Sequence, residues 1–171
     1  MPELSLDKTP QEQYAPLDPA GFSGRIGRMR LLAWSMVISL IAMVTSILVL
    51  LAVKVSPTLG ITCGAVLTLA WFIVSLRICA QRLHDLNWSA WMLLLHLVPV
   101  ANLVLTLMML LMPGTPGPNK YGPPPPPNSR SVTVIASITI FLIGLGICAM
   151  VALFALGLLS ALINAVNSNS L

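Results

Sequence analysis

Two long runs of uncharged, mostly aliphatic residues, at 31–53 and 58–76, limit what this chain can fold into. A helix rises about 1.5 Å per residue, so the first run exceeds the ~30 Å hydrocarbon core of a bilayer and the second approaches it. The short segment between them holds Lys54 and then Pro57, which is suited to the first turn of a helix. These features predict a hairpin of two transmembrane helices.

The composition also indicates a membrane protein. Hydrophobic residues make up 57% of the chain and charged residues only 8%, whereas soluble domains carry roughly 25% charged residues. A further apolar run, at 132–163, is long enough to cross a bilayer with tilt or to break at Gly144 and Gly146. We therefore predict an all-α, polytopic membrane bundle with a two-helix hairpin, a proline-broken third hydrophobic block and a fourth helix.

The third block, residues 88–112, is interrupted near its middle by Pro99 and Asn102. It can form one kinked span, or a re-entrant pair of limbs of about 18 Å each. Cytoplasmic loops collect Lys and Arg. A full span leaves six basic residues inside and three outside, whereas re-entry moves Lys120 and Arg130 inside and gives eight and one. The count favours re-entry with a cytoplasmic N-terminus, and both topologies stay open.

Composition divides the chain into four parts. Residues 1–20 hold four of the five acidic residues, several prolines and no apolar signal-peptide core, which predicts a disordered polar tail. Residues 21–122 form the membrane domain. Residues 123–130 begin with five prolines and predict a stiff polyproline linker, and residues 131–171 predict an additional C-terminal membrane helix with a short polar tail.

Three polar segments at the edges of the apolar blocks resemble the motifs of a known family. The family comprises small bacterial inner-membrane proteins catalogued as domain of unknown function 805, and the resemblance extends from Phe22 to about Pro125. It implies a helical fold and an inner-membrane location but no activity. The matching residues are Phe22, Gly24, Arg25, Arg28 and Trp34; Arg82, Leu83, His84, Asp85, Ser89 and Trp91; and Gly114, Thr115, Pro116, Gly117, Asn119, Tyr121 and Gly122. Gln81 departs from the pattern, because the family often has another arginine there.

Asp85 is the only acidic residue after Asp18, and eight basic residues share that part of the chain. A lone carboxylate near the membrane surface gains most by pairing with arginine. Arg82 lies one helical turn before it, and the segment that begins the first span can fold over the same surface. We interpret the cluster as an ion pair that joins two segments, with a ligand or ion site as the alternative. Its predicted members are Arg25, Arg28, Arg82, His84, Asp85, Asn119 and Tyr121.

The most conspicuous polar groups of the third block are His96 and Asn102, and polar groups in a bilayer often mark function. Hydrogen bonding between helices or capping of the broken helix also explains them. We expect no catalytic residue, metal or cofactor. Adjacent His84 and Asp85 point about 100° apart on a helix, and the three cysteines lack metal-binding spacing.

These features predict an inner-membrane protein without catalytic activity, a scaffold or partner-binding module with a basic cytoplasmic cap. One alternative is a subunit of a small-solute or ion transporter or channel, which would use His96 and Asn102. Another is a protein that binds anionic lipid through its arginines. The expected partners are membrane lipids, together with a membrane protein or a second copy packed on the small-residue face of Gly157, Ala161 and Ala165. Nucleic acid is not expected, because basic residues beside spans usually report topology.

Overall fold

The computed structural model describes residues 14–18 and 21–168, and the regular elements within them are helices. The helices are α1 (Arg28–Val55), α2 (Pro57–Asp85), a 3-10 helix (Ala90–Leu97), α3 (Pro99–Leu111) and α4 (Arg130–Ser168). The predicted all-α fold is confirmed. The predicted disordered tail lies mostly outside the described residues.

Helices α1 and α2 form the predicted hairpin. Ser56 ends α1 and caps α2, since its hydroxyl accepts a hydrogen bond from the Leu59 backbone nitrogen, and Pro57 occupies the first turn. The last turn of α1 and the first turn of α2 lie close together, because a Cβ at Gly60 would overlap the backbone of Val53. Glycine therefore allows the helices to approach directly after the turn.

Three helices, α1, α2 and α4, are long and apolar enough to cross a membrane. Many of their large apolar side chains are exposed on the surface of the protein, including Leu50 and Phe72. Exposed aliphatic surface on this scale is stable in lipid and unfavourable in water. The fold therefore belongs in a bilayer.

The described chain divides into two compact units. The first ends at Ala136 and the second begins at Ser137. In the first, the start of α4 packs the fully buried Ala136 against Leu32 and Ala33 of α1. The second is the remainder of α4, whose side chains are almost all exposed. An apolar helix without a packed core is typical of a segment surrounded by lipid.

The third hydrophobic block is broken at the predicted proline. Val98 is extended, and Pro99, which has no backbone N–H to donate, opens α3. Before the break the chain forms a 3-10 helix capped by Ser89. After it, α3 packs Leu105 and Met109 into a core with residues of α1 and α2.

Both ends of this block lie at the same end of the α1–α2 hairpin. At its start, Asn87 adopts a left-handed φ of 63°, and the Trp88 backbone nitrogen donates to the Leu83 oxygen at 2.8 Å. At its end, the Thr115 backbone nitrogen donates to the Asp85 oxygen at 2.8 Å. The block thus returns the chain to its starting point, which is the geometry that a re-entrant segment requires.

Replacing Gly60 with alanine is expected to lower the stability of the protein by about 1–3 kcal/mol, because the added methyl group would overlap the Val53 backbone. The matched control is Gly144→Ala, where a Cβ meets open space and alanine favours the helix by up to ~1 kcal/mol. Thermal unfolding in detergent, followed by circular dichroism, measures both. Equal melting temperatures for the two variants would contradict a close helix approach at Gly60.

The return of the chain also predicts membrane sidedness. In a variant without native cysteines, a cysteine at Ser129 is expected to resist a membrane-impermeant maleimide in intact cells, whereas a cysteine at Ser56 is expected to react. The reason is that the two positions lie at opposite ends of the hairpin. The count of basic residues favours a cytoplasmic location for the end near Ser129. Labelling after lysis controls for reactivity. If Ser129 reacts in intact cells as completely as Ser56, the third block crosses the membrane.

Candidate functional site

The carboxylate of Asp85, only 2% exposed, bridges two buried arginines. Its Oδ1 accepts hydrogen bonds from Arg25 Nε and Nη2 at 3.2 and 3.1 Å, and its Oδ2 accepts from Arg82 Nη1 at 2.5 Å. Arg25 and Arg82 are 1% and 0% exposed. One carboxylate therefore compensates two enclosed cations, so the remaining guanidinium donors must find other acceptors.

Those acceptors are backbone carbonyls. Arg25 Nη1 donates to the oxygens of Gly117 and Gly122 at 2.8 and 3.1 Å, and Nη2 donates to the Thr115 oxygen at 2.7 Å. Arg82 Nε donates to the Met109 oxygen at 2.7 Å, and its Nη2 donates to the Met112 oxygen at 2.5 Å.

The Arg82 acceptors lie at the C-terminal end of α3, where carbonyls lack intrahelical partners and the helix dipole is negative. Arg28, predicted as a further partner of Asp85, also turns to this helix end. Its Nη1 donates to the Leu111 oxygen at 3.1 Å. The structure thus places Arg28 beside the cluster and not on the carboxylate.

The loop of residues 113–122 covers the end of α2. Thr115 donates to the Asp85 backbone oxygen through its nitrogen at 2.8 Å and its hydroxyl at 2.9 Å. Asn119 Nδ2 donates to the His84 oxygen at 2.8 Å, so the loop satisfies the last carbonyls of α2. The Tyr121 ring stacks on the His84 imidazole with centroids 3.8 Å apart. The structure brings both predicted loop residues, Asn119 and Tyr121, to the cluster.

The two predicted intramembrane polar residues are separated by the break in the third block. Asn102 lies in α3, where its Oδ1 accepts a hydrogen bond from Thr106 at 3.3 Å. His96 lies at the end of the 3-10 helix and lines an apolar groove beside α2. Among the described residues its Nδ1 has no hydrogen-bond partner. The structure does not bring these two residues together.

The polar segments that build this cluster are also those that identify the chain. Residues 19–123 match the family described as Protein of unknown function (DUF805). The chain belongs to the DUF805 family. This match confirms the resemblance carried by the three motifs, and it covers every residue of the Asp85 cluster.

Two relatives of the chain are inner membrane proteins of Escherichia coli (strain K12). Inner membrane protein YhaH is 39% identical over 62 residues, which cover 36% of this chain and 48% of YhaH. Inner membrane protein YhaI is 29% identical over 105 residues, which cover 61% of this chain and 86% of YhaI. The chain thus spans about half the length of YhaH. No solved structure matches the chain.

Sequence reasoning missed the hydrogen bonds of two buried polar residues, Gln81 and Arg30. Gln81, 1% exposed, donates through Nε2 to the backbone oxygens of Asp18 and Gly21 at 2.6 and 2.8 Å. Arg30 donates to the oxygens of Pro126 and Pro127 at 3.3 and 3.2 Å, so the proline run lies against α1. The departure of Gln81 from the family pattern was the one available signal, because an amide can bond to carbonyls without adding charge.

The cluster holds together the segment before α1, the end of α2 and the loop of residues 113–122. Arginine donors occupy both carboxylate oxygens of Asp85. Other donors of the same two arginines bond to backbone carbonyls. Within the described residues, no group of three or more His, Cys, Asp or Glu side chains is arranged to hold a metal ion. What the geometry supports is stabilisation of the DUF805 fold.

Asp85→Asn is expected to destabilise the protein by about 3–5 kcal/mol, because it leaves two buried guanidinium groups without their anion. The matched control is Lys120→Gln, which removes an exposed charge whose ammonium group lies 5.0 Å from the Tyr121 ring centre. Its expected cost is about 1 kcal/mol or less. Melting temperatures in detergent measure the difference. Similar losses in the two variants would show that Asp85 does not hold the segments together.

Proposed function

We propose that the protein is a non-catalytic scaffold of the bacterial inner membrane that binds an acidic partner through a basic cap. The cap comprises residues 21–30, 81–89 and 112–127, joined around Asp85. The observation that carries this proposal is the distribution of charge. The carboxylate of Asp85 is enclosed, whereas Arg28 and Lys120 are exposed. A surface with outward cations and an inward anion is complementary to acidic groups on a partner.

The interior of the cap supports a role in binding over a role in catalysis. A general base needs a free lone pair, and arginine donors occupy both Asp85 oxygens. The fixed loop of residues 113–122 instead gives the outer surface a defined shape, because its backbone bonds to the end of α2. A preorganised surface binds a partner without a large cost in ordering.

The proposed orientation places the cap in the cytoplasm and makes the protein multi-pass. Its support is the concentration of basic residues at the cap end of the α1–α2 hairpin, with Lys54 at the opposite end. Positive residues remain on the cytoplasmic side during insertion. An acidic partner would then meet the cap at the cytoplasmic surface.

The transporter alternative has less support. Asn102 is engaged within its own helix by Thr106, and His96 lies beside an apolar groove on the other limb of the third block. A coupled transport site needs several polar groups converging near the centre of the bilayer. Among the described residues, these two do not converge.

Site-specific photocrosslinking in living cells tests the scaffold proposal. A photoreactive residue at exposed Asn128, beside the cap, is expected to capture a protein through an acidic segment. The same residue at exposed Thr58, at the other end of the hairpin, is the control. Capture from position 128 should fall severalfold when Lys120→Glu introduces repulsion, and also at high salt, because exposed charges are screened.

Three results would contradict the proposal. They are identical products from positions 128 and 58, products that carry no acidic segment, and capture from position 128 that Lys120→Glu leaves unchanged. The melting temperature of Lys120→Glu shows whether the variant keeps its fold, since Lys120 makes only an exposed contact with Tyr121.

A further inference from the structure

We propose that a lateral groove between α2 and the 3-10 helix binds one anionic phospholipid of the bilayer, with the acyl chain in the groove and the phosphate on Arg77. This proposal does not depend on the acidic protein partner proposed for the cap. The groove encloses about 560 Å³ and is lined by residues that include Phe22, Phe72, Cys79, Trp91, Leu94 and His96.

The lining selects a hydrocarbon occupant. Apart from Ser75 and His96, the side chains that face the groove are aliphatic, aromatic or a thiol. The groove is formed by α2, which is long and apolar enough to span a membrane, and its volume lies within the ~300–1,000 Å³ typical of small-molecule sites. Leu94 is 57% exposed, so the groove opens sideways. An acyl chain can enter it from the surrounding lipid.

Arg77 supplies a cation next to this lining. It follows Leu76, a lining residue, and its guanidinium carbon lies 5.2 Å from the ring centre of Phe22, which also lines the groove. The buried Nε of Arg77 has no hydrogen-bond partner among the described residues. A guanidinium group in this position is available for bidentate bonds to a phosphate.

The arginines of the cap, unlike Arg77, are already engaged. Arg25 and Arg82 bond to Asp85, Arg30 bonds to the proline carbonyls, and Arg28 bonds to the end of α3. Arg77 differs because its described contact is with an aromatic face and not with an acceptor oxygen. Charge complementarity therefore assigns the phosphate to Arg77.

Two further residues suit the membrane interface. Trp91 is 78% exposed beside the groove, and tryptophan is enriched at the level of lipid headgroups. The unpartnered Nδ1 of His96 gives the lining a hydrogen-bonding group for an ester carbonyl when that nitrogen carries a proton. An anionic glycerophospholipid combines the phosphate, ester and chain that these residues match.

Native mass spectrometry of the full chain, released from nanodiscs of equal phosphatidylglycerol and phosphatidylcholine, tests the site. The wild-type protein is expected to retain one phosphatidylglycerol with a preference of roughly tenfold, the size of one charge-assisted interaction. Arg77→Gln should abolish the preference. Arg130→Gln removes an exposed arginine outside the groove and should preserve it. Equal losses in these two variants, or equal retention of the two lipids by the wild type, would overturn the proposal.

A filling variant tests the groove independently of charge. Ser75→Trp places a large side chain on the exposed lining while Arg77 stays intact, and it should remove the retained lipid. Circular dichroism and melting temperature check its fold. A photoreactive residue at Leu94 should crosslink to phospholipid. Retention unchanged by Ser75→Trp, or crosslinks from Leu94 to a protein or to a second copy, would also overturn the proposal.

Discussion

The bridge from Asp85 to Arg25 and Arg82 is the interaction on which the first compact unit depends. It joins the segment before α1 to the end of α2, across 60 residues of sequence. Taking an unpaired charge out of water costs several kcal/mol, so neither arginine could be buried without the carboxylate. One anion between two cations leaves surplus positive charge, and the carbonyls of the loop and of α3 compensate it. The ion pair thus explains the position of the loop and of α3, neither of which contains an acidic residue.

The path of the third block follows from the same constraint. The C-terminal carbonyls of α3 have no intrahelical donors, and Arg82 supplies donors only at the Asp85 end of the hairpin. The loop must then pass directly over the carboxylate. Gly114 makes this contact feasible, because a Cβ there would overlap the Asp85 side chain. The break at Pro99 and the glycine at position 114 therefore serve the same purpose. The break lets α3 return to the buried Arg82, and Gly114 lets the loop pass over Asp85.

The sequence predicted the elements that depend on side-chain chemistry alone. Uncharged runs predicted the hairpin, Pro99 predicted the break, and the scarcity of acids predicted the pairing of Asp85 with Arg82 and Arg25. Contacts with backbone acceptors were harder to predict. Arg28 bonds to a helix-end carbonyl where an ion pair with Asp85 was expected, because every residue offers the same carbonyl and no pattern marks it. The 3-10 form of residues 90–97 was missed for a related reason, since apolar periodicity does not distinguish it from an α-helix.

The same arginines cannot both hold the fold and bind an external anion. A ligand that took Arg25 or Arg82 would have to displace a buried carboxylate and leave it unpaired, which costs about as much as the interaction it gained. Binding must therefore use cations outside the Asp85 cluster. Lys120 is exposed on the cap, and Arg77 lies beside the groove, with its guanidinium carbon 5.2 Å from the ring centre of Phe22. Lys120 lies in the loop and therefore suits a partner in water. Arg77 lies on a membrane-length helix and therefore suits a ligand in the bilayer. Burial of a single acid thus separates the residues that build this protein from those that remain available to bind.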